Sequence, residues 1–441
     1  MFDNKALKRL IIPLVIDQFL AVTIGMADTM MVSSCGEAAV SGISLVDSIN
    51  FLFITIFAAL ATGGAVVAAQ YVGKGNKKES CLAANQLFYS VFFLSIILSI
   101  ITLIFKNQIL NLIYNGITED VMQNARIYFF ISALSYPFLA VFNASAALFR
   151  SMGDSKTAMF TSAFMNILNV LGNAIFIFIF NLGVAGAGLA TLIARIIGAV
   201  IITILLFNQS RTICYIDLFK FKIKPKYIKN ILYIGVPNGI ENGLFQIGKL
   251  LVASIVSGFG TAAITANAIG GNLACIQLIP GLAISLALIT VVGQCIGAGE
   301  IEQAKSYSIK LIKLTYIAFW GFSIVLFILL KPILSLYSIS DEAAAITTQI
   351  FIAHLIVANF LWPLSFALPN ALRAGGDVKF TMWISMLSMW IFRIGSCFLF
   401  AIYLDLGVFG VWIAMFADWA CRGTFYTWRF FKCNWIKKRF T

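Results

Sequence analysis

The sequence predicts an all-α membrane protein: twelve transmembrane helices in two pseudo-twofold-related six-helix lobes. Three observations carry this reading. Of 441 residues, 61% are hydrophobic and only 11% are charged, whereas a soluble globular chain is nearer half apolar and a quarter charged. A chain this apolar has too little polar surface to cover itself in water, which excludes a soluble enzyme, a nucleic-acid-binding domain and a disordered scaffold. Twelve apolar stretches reach the length of about 20 residues that a bilayer requires. Finally, a set of short motifs recurs in order in the two halves of the chain.

Cut at its charged and turn-forming clusters, the chain yields spans at 10–32, 43–72, 80–105, 127–150, 157–180, 184–208, 231–257, 263–297, 308–330, 345–373, 380–403 and 408–430. The amino terminus has basic flanks like a signal peptide, but its apolar stretch runs on without a small-residue cleavage site, so it reads as a retained first helix. Basic residues set the orientation. Lys5, Lys8 and Arg9, then Lys74, Lys77 and Lys78, Arg150 and Lys156, the lysines from 220 to 229, Lys305, Lys310 and Lys313, Arg373 and Lys379, and the basic tail fall on one side. Only Lys106, Arg126 and Lys331 fall on the other. That bias predicts both termini in the cytoplasm and an inner (cell) membrane location. The net charge of +13 is thus mainly a topological signal and does not point to nucleic acid. The eight cysteines lie scattered, without metal-ligand or C-x-x-C spacing, and read as small packing residues.

The halves echo each other at an offset of about 224 residues. Pro13 answers Pro237, Asp17 answers Glu241, and Gly36 answers Gly260. Q-Y-V-G-K-G-N from Gln70 answers Q-C-I-G-A-G-E from Gln294. L-F-R-S-M-G-D-S-K from Leu148 answers A-L-R-A-G-G-D-V-K from Ala371, with a slip of one residue. L-G-V-A-G from Leu182 answers L-G-V-F-G from Leu406. The expected domains are a lobe at 1–207, a cytoplasmic linker at 208–230 and a second lobe at 231–441. Two like-oriented lobes around a cleft form a common transporter plan, in which rocking exposes the cleft to alternate sides.

Pro13, D-T-M-M-V from Asp28, A-A-Q-x-x-G-x-G after the second helix, L-F-R-x-M-G-D after the fourth and A-G-A-G-L-A-T at the sixth resemble the multidrug and toxic compound extrusion (MATE) family, across essentially the whole chain. The resemblance implies export of organic, often cationic compounds against an inward flow of Na+ or H+. It ties Asp28 to cation coupling and makes Thr191 a neighbour. Where the family often has an Asn followed four residues later by an Asp, this chain has Asn169 and Asn173; the second position can offer a sodium ion an oxygen but cannot carry a proton. If the coupling ion is sodium, Asp28, Asn169 and Asn173 are the expected metal ligands. In another branch of the family acids on the seventh and tenth helices serve the ion, and here those places look like Phe245 and Trp362.

The polar residues within the spans add to this. Intramembrane carboxylates usually face a cavity or a partner. Asp17 and Asp28 stand eleven residues apart, about three turns, on one face of the first helix. Asn166, Asn169 and Asn173 share a face of the fifth, so the two faces would form a polar pocket if they meet; asparagines on neighbouring helices can equally be helix–helix glue. Glu241 either lines a cation cavity or pairs with Lys249, two turns on. His354 is either a packing residue or a proton relay. Arg195 and Arg393 are expected to partner backbone or acid groups, and Asp418 to lie near the inner surface. All eight tryptophans fall in the second half; they serve the interfacial belt or, like Trp362, offer a flat stacking surface, so Lys249, His354 and Trp362 mark a possible second-lobe cavity.

No phosphate-binding G-x-x-x-x-G-K-[ST] string, metalloprotease motif or nucleophile elbow is present in the sequence, so neither ATP coupling nor an enzyme is expected. No cofactor is expected beyond the transported Na+ or H+; the partners are a small organic substrate and the lipid bilayer, and a monomer is expected to function. The rival reading is a lipid-linked oligosaccharide flippase of related fold, which a wide cavity lined by several arginines would favour.

Overall fold

The computed structural model describes residues 2–114, 116–335, 337, 339–432 and 435–436; Cys433 and the basic tail from residue 437 lie outside the described residues. The first six helices are α1 (Asn4–Ser33), α2 (Glu37–Gly73), α3 (Lys77–Ile113), α4 (Glu119–Ser151), α5 (Ser155–Ile179) and α6 (Gly183–Leu206). After a connecting segment come α7 (Pro225–Ser257), α8 (Thr261–Gly297), α9 (Ile301–Ser335), α10 (Asp341–Ala374), α11 (Val378–Tyr403) and α12 (Gly407–Lys432). Each expected span falls on one helix, and no strand forms among the described residues. Ten of these helices are long and apolar enough to cross a membrane. The other two, α7 and α12, carry Glu241 and Lys249, and Asp418 and Arg422, well inside the helix.

On α3, Phe93, Ile97, Ile100, Ile101 and Ile104 are exposed, whereas Ser95, Ser99 and Thr102 are buried. Ser99 donates to the carbonyl of Ala133 on α4 at 2.7 Å, and Ser95 to that of Phe92 on its own helix at 2.9 Å. Isoleucine loses nothing by facing hydrocarbon, so this helix turns large apolar side chains outward.

The repeat is visible in the backbone. Asn181 and Gly183 have φ of 52° and 53°, and Asp405 and Gly407, one repeat later, have 52° and 51°. This left-handed geometry favours glycine and tolerates Asn or Asp, so the turn before the last helix of each lobe retains those residue types. The π-helical turns Ala174–Ile179 that end α5 are likewise answered by Phe398–Tyr403 at the end of α11. In α10, Pro363 opens a further π-helical stretch, Pro363–Ala367, as a proline that removes a helical hydrogen bond would.

The chain divides into two compact units, one of Asp3–Gly239 and the other running from Ile240 onward together with Phe2. The boundary falls inside α7. The connecting segment, expected as a cytoplasmic linker, is bound to the first unit. Gln86 on α3 donates to the carbonyl of Lys222 and accepts from the amide of Lys224, both at 2.8 Å. Tyr89 donates to the carbonyl of Leu218 at 2.6 Å. Cys81 on α3 lies 3.2 Å from Cys214, sulfur to sulfur, and Arg211 pairs with Asp154 at 2.8 Å. Asp154 also caps α5, accepting from the Thr157 amide at 3.1 Å and its hydroxyl at 2.7 Å.

Candidate functional site

In the first lobe the polar faces of α1 and α5 meet. Asp17 hydrogen-bonds Ser162, and eleven residues further along both helices Asp28 accepts a hydrogen bond from the Asn173 amide. The equal stride puts the two carboxylates on one seam but in separate settings. Asp17 lies in the field of Arg150 and is about 16 Å of helix rise from Asp28. The half-buried Asp28 is in no salt bridge among the described residues. Asn173 is fully buried, and its carbonyl oxygen has no hydrogen-bond partner. Alongside, Asn169 donates to the Thr191 hydroxyl at 3.0 Å, and Thr191 donates to the carbonyl of Ala187 at 3.0 Å. Asn166 is half-buried and makes none of these contacts.

A second tier surrounds this pair. Asp47 on α2 hydrogen-bonds Tyr128 and accepts from the Asn50 amide at 3.2 Å. Tyr136 donates to the Asn50 carbonyl oxygen at 2.8 Å. Arg195 on α6 donates to the Ser135 hydroxyl at 2.6 Å and lies in the field of both Asp47 and Asp28. Sequence reasoning missed Asp47, Asn50, Tyr128 and Tyr136. The signal was available: Asp47 and Asn50 stand three residues apart inside the second expected span, a spacing that places them side by side on a helix.

The second lobe contains a cavity of about 500 Å³ lined by residues of α7, α8, α10, α11 and α12, among them Glu241, Lys249, His354, Trp362 and Arg393. Here one expectation needs correction. Glu241 does not pair with Lys249; it accepts from Arg373 on α10 at 2.7 Å, with both side chains nearly buried. Eight residues along a helix is about 12 Å of rise, too far for the lysine, while Arg373 meets the carboxylate directly. Glu241 is therefore a carboxylate paired within the second lobe. Asp418, expected near the inner surface, is fully buried in this lobe, bonded to Arg422 at 2.7 Å and to the Ser388 hydroxyl at 2.5 Å, with Arg393 at 3.7 Å.

Aromatic rings fill the rest of the wall. Trp362 stacks on Phe366 at 5.5 Å between centroids and tilts against Phe319 at 5.0 Å. Phe245 lies under the guanidinium groups of Arg393 and Arg422 at 5.4 and 5.3 Å. His354 is buried among Phe351, Trp412, Phe416 and Trp419. Sequence reasoning missed Arg422, although it stands four residues after Asp418 on the same helix, the spacing of a helical ion pair.

Comparison with known proteins bears on both lobes. The family model MatE matches twice, over residues 13–175 and 237–399. The uncharacterized transporter YisQ of Bacillus subtilis is 29% identical, the match covering 97% of this chain and 94% of that protein. A probable multidrug resistance protein NorM of Thermotoga maritima is 28% identical over 99% of this chain and 94% of its own length. A crystallised MATE in complex with MaL6 superposes with a TM-score of 0.89 at 20% identity, covering 97% of this chain and 96% of that one. With the same family model laid once on each half, the chain belongs to the MATE family, multi-pass membrane transporters of multidrug and toxic compound extrusion.

Proposed function

We propose that this protein is an antiporter that exports small organic molecules by alternating access, driven by inward movement of sodium ions bound at Asp28. The observation that carries the reading is the Asp28–Asn173 contact: an unpaired carboxylate touching a buried amide whose own oxygen lacks a hydrogen-bond partner. With Thr191 and Asn169 beside them, these groups form a set of hard oxygen ligands around one negative charge, which suits an alkali cation. A second reading, proton coupling, is favoured by Asp47, whose carboxylate lies in the field of Asp28; two neighbouring acids can share a proton. The cationic cargo implied by the resemblance would find its unpaired acids at this same first-lobe cluster and would compete there with the coupling ion. A cavity of about 500 Å³ suits a drug-sized molecule and is small for a lipid-linked oligosaccharide, which speaks against the flippase. The bias of the basic residues supports an inner-membrane location with both termini cytoplasmic, and the monomer is taken as the working unit.

The test is radiosodium binding to the purified full-length protein, with and without Asp28→Asn, followed by transport in proteoliposomes with sodium and pH gradients imposed separately. Saturable sodium binding that disappears in the variant, at unchanged melting temperature, is expected. Binding that survives Asp28→Asn removes this residue from the coupling, and a response to the pH gradient alone assigns the coupling to protons.

A further inference from the structure

Sodium coupling at Asp28 leaves the charge of the cargo open, and the second-lobe cavity speaks to it. Four cationic side chains line that cavity, Lys249, Arg373, Arg393 and Arg422, against one lining carboxylate, Glu241. Glu241 is taken by Arg373 at 2.7 Å. Behind the wall, Asp418 is shared between Arg422 at 2.7 Å and Arg393 at 3.7 Å, so one carboxylate answers two guanidinium groups. Lys249, an exposed residue, has no carboxylate partner among the described residues, and Arg393 and the Cys275 thiol are the titratable groups that act on it. Two positive charges therefore face the cavity without a carboxylate of their own, and a ligand of opposite sign would offset their mutual repulsion.

The buried polar atoms that lack a hydrogen-bond partner among the lining residues lean the same way: Nε of Arg373, Nε of Arg393 and the indole N–H of Trp419 are donors without an acceptor, against one acceptor, Oε2 of Glu241, while Nδ1 of His354 can serve as either. The wall beside them is flat and aromatic, with Trp362 stacked on Phe366. We propose that this cavity binds an amphipathic aromatic anion, its carboxylate, sulfonate or phosphate held between Lys249 and Arg393 and its ring against Trp362 and Phe366. A cation entering the same space meets Lys249 and Arg393, and the one lining carboxylate, Glu241, is already held by Arg373 through Oε1. This inference deepens the exporter reading and rests on it for the direction of transport, but the site can be tested without transport.

The test is equilibrium binding of two isosteric probes, 2-naphthalenesulfonate and 2-naphthyltrimethylammonium, to the purified full-length protein. The sulfonate is expected to bind at least about tenfold more tightly, an effect within reach of one uncompensated charge. Lys249→Gln should remove most of that preference and Lys249→Arg should keep it, with the melting temperature lowered in neither. Equal or tighter binding of the ammonium overturns the inference, as does a sulfonate preference untouched by Lys249→Gln. The two proposals fail separately. Saturable sodium binding by a protein that prefers the ammonium probe would refute the anion site alone, and sulfonate preference in a protein that binds no sodium and answers no ion gradient would refute the coupling reading alone.

Discussion

Replacing Asp418 by Asn should move stability and anion affinity in opposite directions. The carboxylate is fully buried and holds Arg422 at 2.7 Å, the Ser388 hydroxyl at 2.5 Å and Arg393 at 3.7 Å. Asparagine keeps the shape and can still accept from Ser388, but it leaves two guanidinium groups with no counter-charge. Breaking a buried ion pair from one side costs about 3–5 kcal/mol, and the retained neutral hydrogen bond, worth about 1 kcal/mol, places the expected loss toward the lower end. The same substitution adds one positive charge to the cavity wall. At a separation of ~8 Å and an effective dielectric of ~20, that charge attracts a bound sulfonate by about 2 kcal/mol, roughly a thirtyfold gain in affinity. The assay is thermal melting of the detergent-solubilised protein across a titration of 2-naphthalenesulfonate. Asp418→Asn should melt lower without ligand and should recover more of its stability per unit of ligand than the natural protein, as mass action requires of a tighter site. A variant that melts like the natural protein would show that Asp418 does not compensate the arginines. One that melts lower and binds the sulfonate more weakly would refute the account of the cavity as a positively charged container.

Three further outcomes follow from local geometry. A Cβ at Gly281 would stand 2.4 Å from Trp362 and 2.6 Å from Phe319, so Gly281→Ala should lower stability by about 1–3 kcal/mol through overpacking and weaken probe binding as Trp362 moves; Gly271→Ala, with nothing within 4 Å of the added atom, is the control and should melt no lower. Burial, reinforced by the contact with Cys81, pushes the Cys214 thiol up to about 12; because the thiolate is the reactive form, Cys214 should resist iodoacetamide at pH 7 in the folded protein and react once it is unfolded, as peptide mapping would show. Burial raises the Asp154 carboxyl, but the Thr157 hydroxyl and amide together with Arg211 outweigh it and hold the group below its ordinary value of 3.8. A depressed acid contributes stability that is complete above its unfolded value and lost as the pH falls through the folded one, so the hold of the connecting segment should weaken only below about pH 4, and hydrogen exchange of residues 209–216 should accelerate there; acceleration already at pH 6 would refute the assignment.

The fold was legible because its strongest signals are local. A run of apolar residues long enough to span hydrocarbon reads the same whatever it packs against, and all twelve expected spans fall on helices. The repeat was legible at its turns rather than along its helices. Asn181 and Gly183 share left-handed backbone geometry with Asp405 and Gly407, and few residue types tolerate that geometry. Lipid-facing positions accept nearly any apolar side chain and carry little memory of the duplication. The attachment of the connecting segment was not legible because its bonds come from Gln86 and Tyr89, more than 125 residues away in the chain; polar residues at the end of an apolar helix look the same whether they meet water or another segment's backbone.

The candidate sites divide along the same line. Asp17 and Asp28 repeat at eleven residues, and so do their partners Ser162 and Asn173 on α5, so helical periodicity by itself matches the correct faces of the two helices. Charge pairing has no such rule. Glu241 takes an arginine 132 residues away in preference to a lysine on its own helix, a choice that only the tertiary fold makes. Its consequence reaches beyond one pair. Once Arg373 neutralises Glu241, and Asp418 is divided between Arg393 and Arg422, Lys249 is left facing the cavity with no acid of its own. Counted along the sequence, the intramembrane acids of the two halves look alike, with Asp17 answered by Glu241. Counted in space, Asp28 in the first lobe is an unpaired acid beside an unsatisfied amide oxygen, whereas the acids of the second lobe are spent on arginines. A duplicated scaffold has thus acquired lobes of opposite electrical character, one suited to hold a cation and the other an anion.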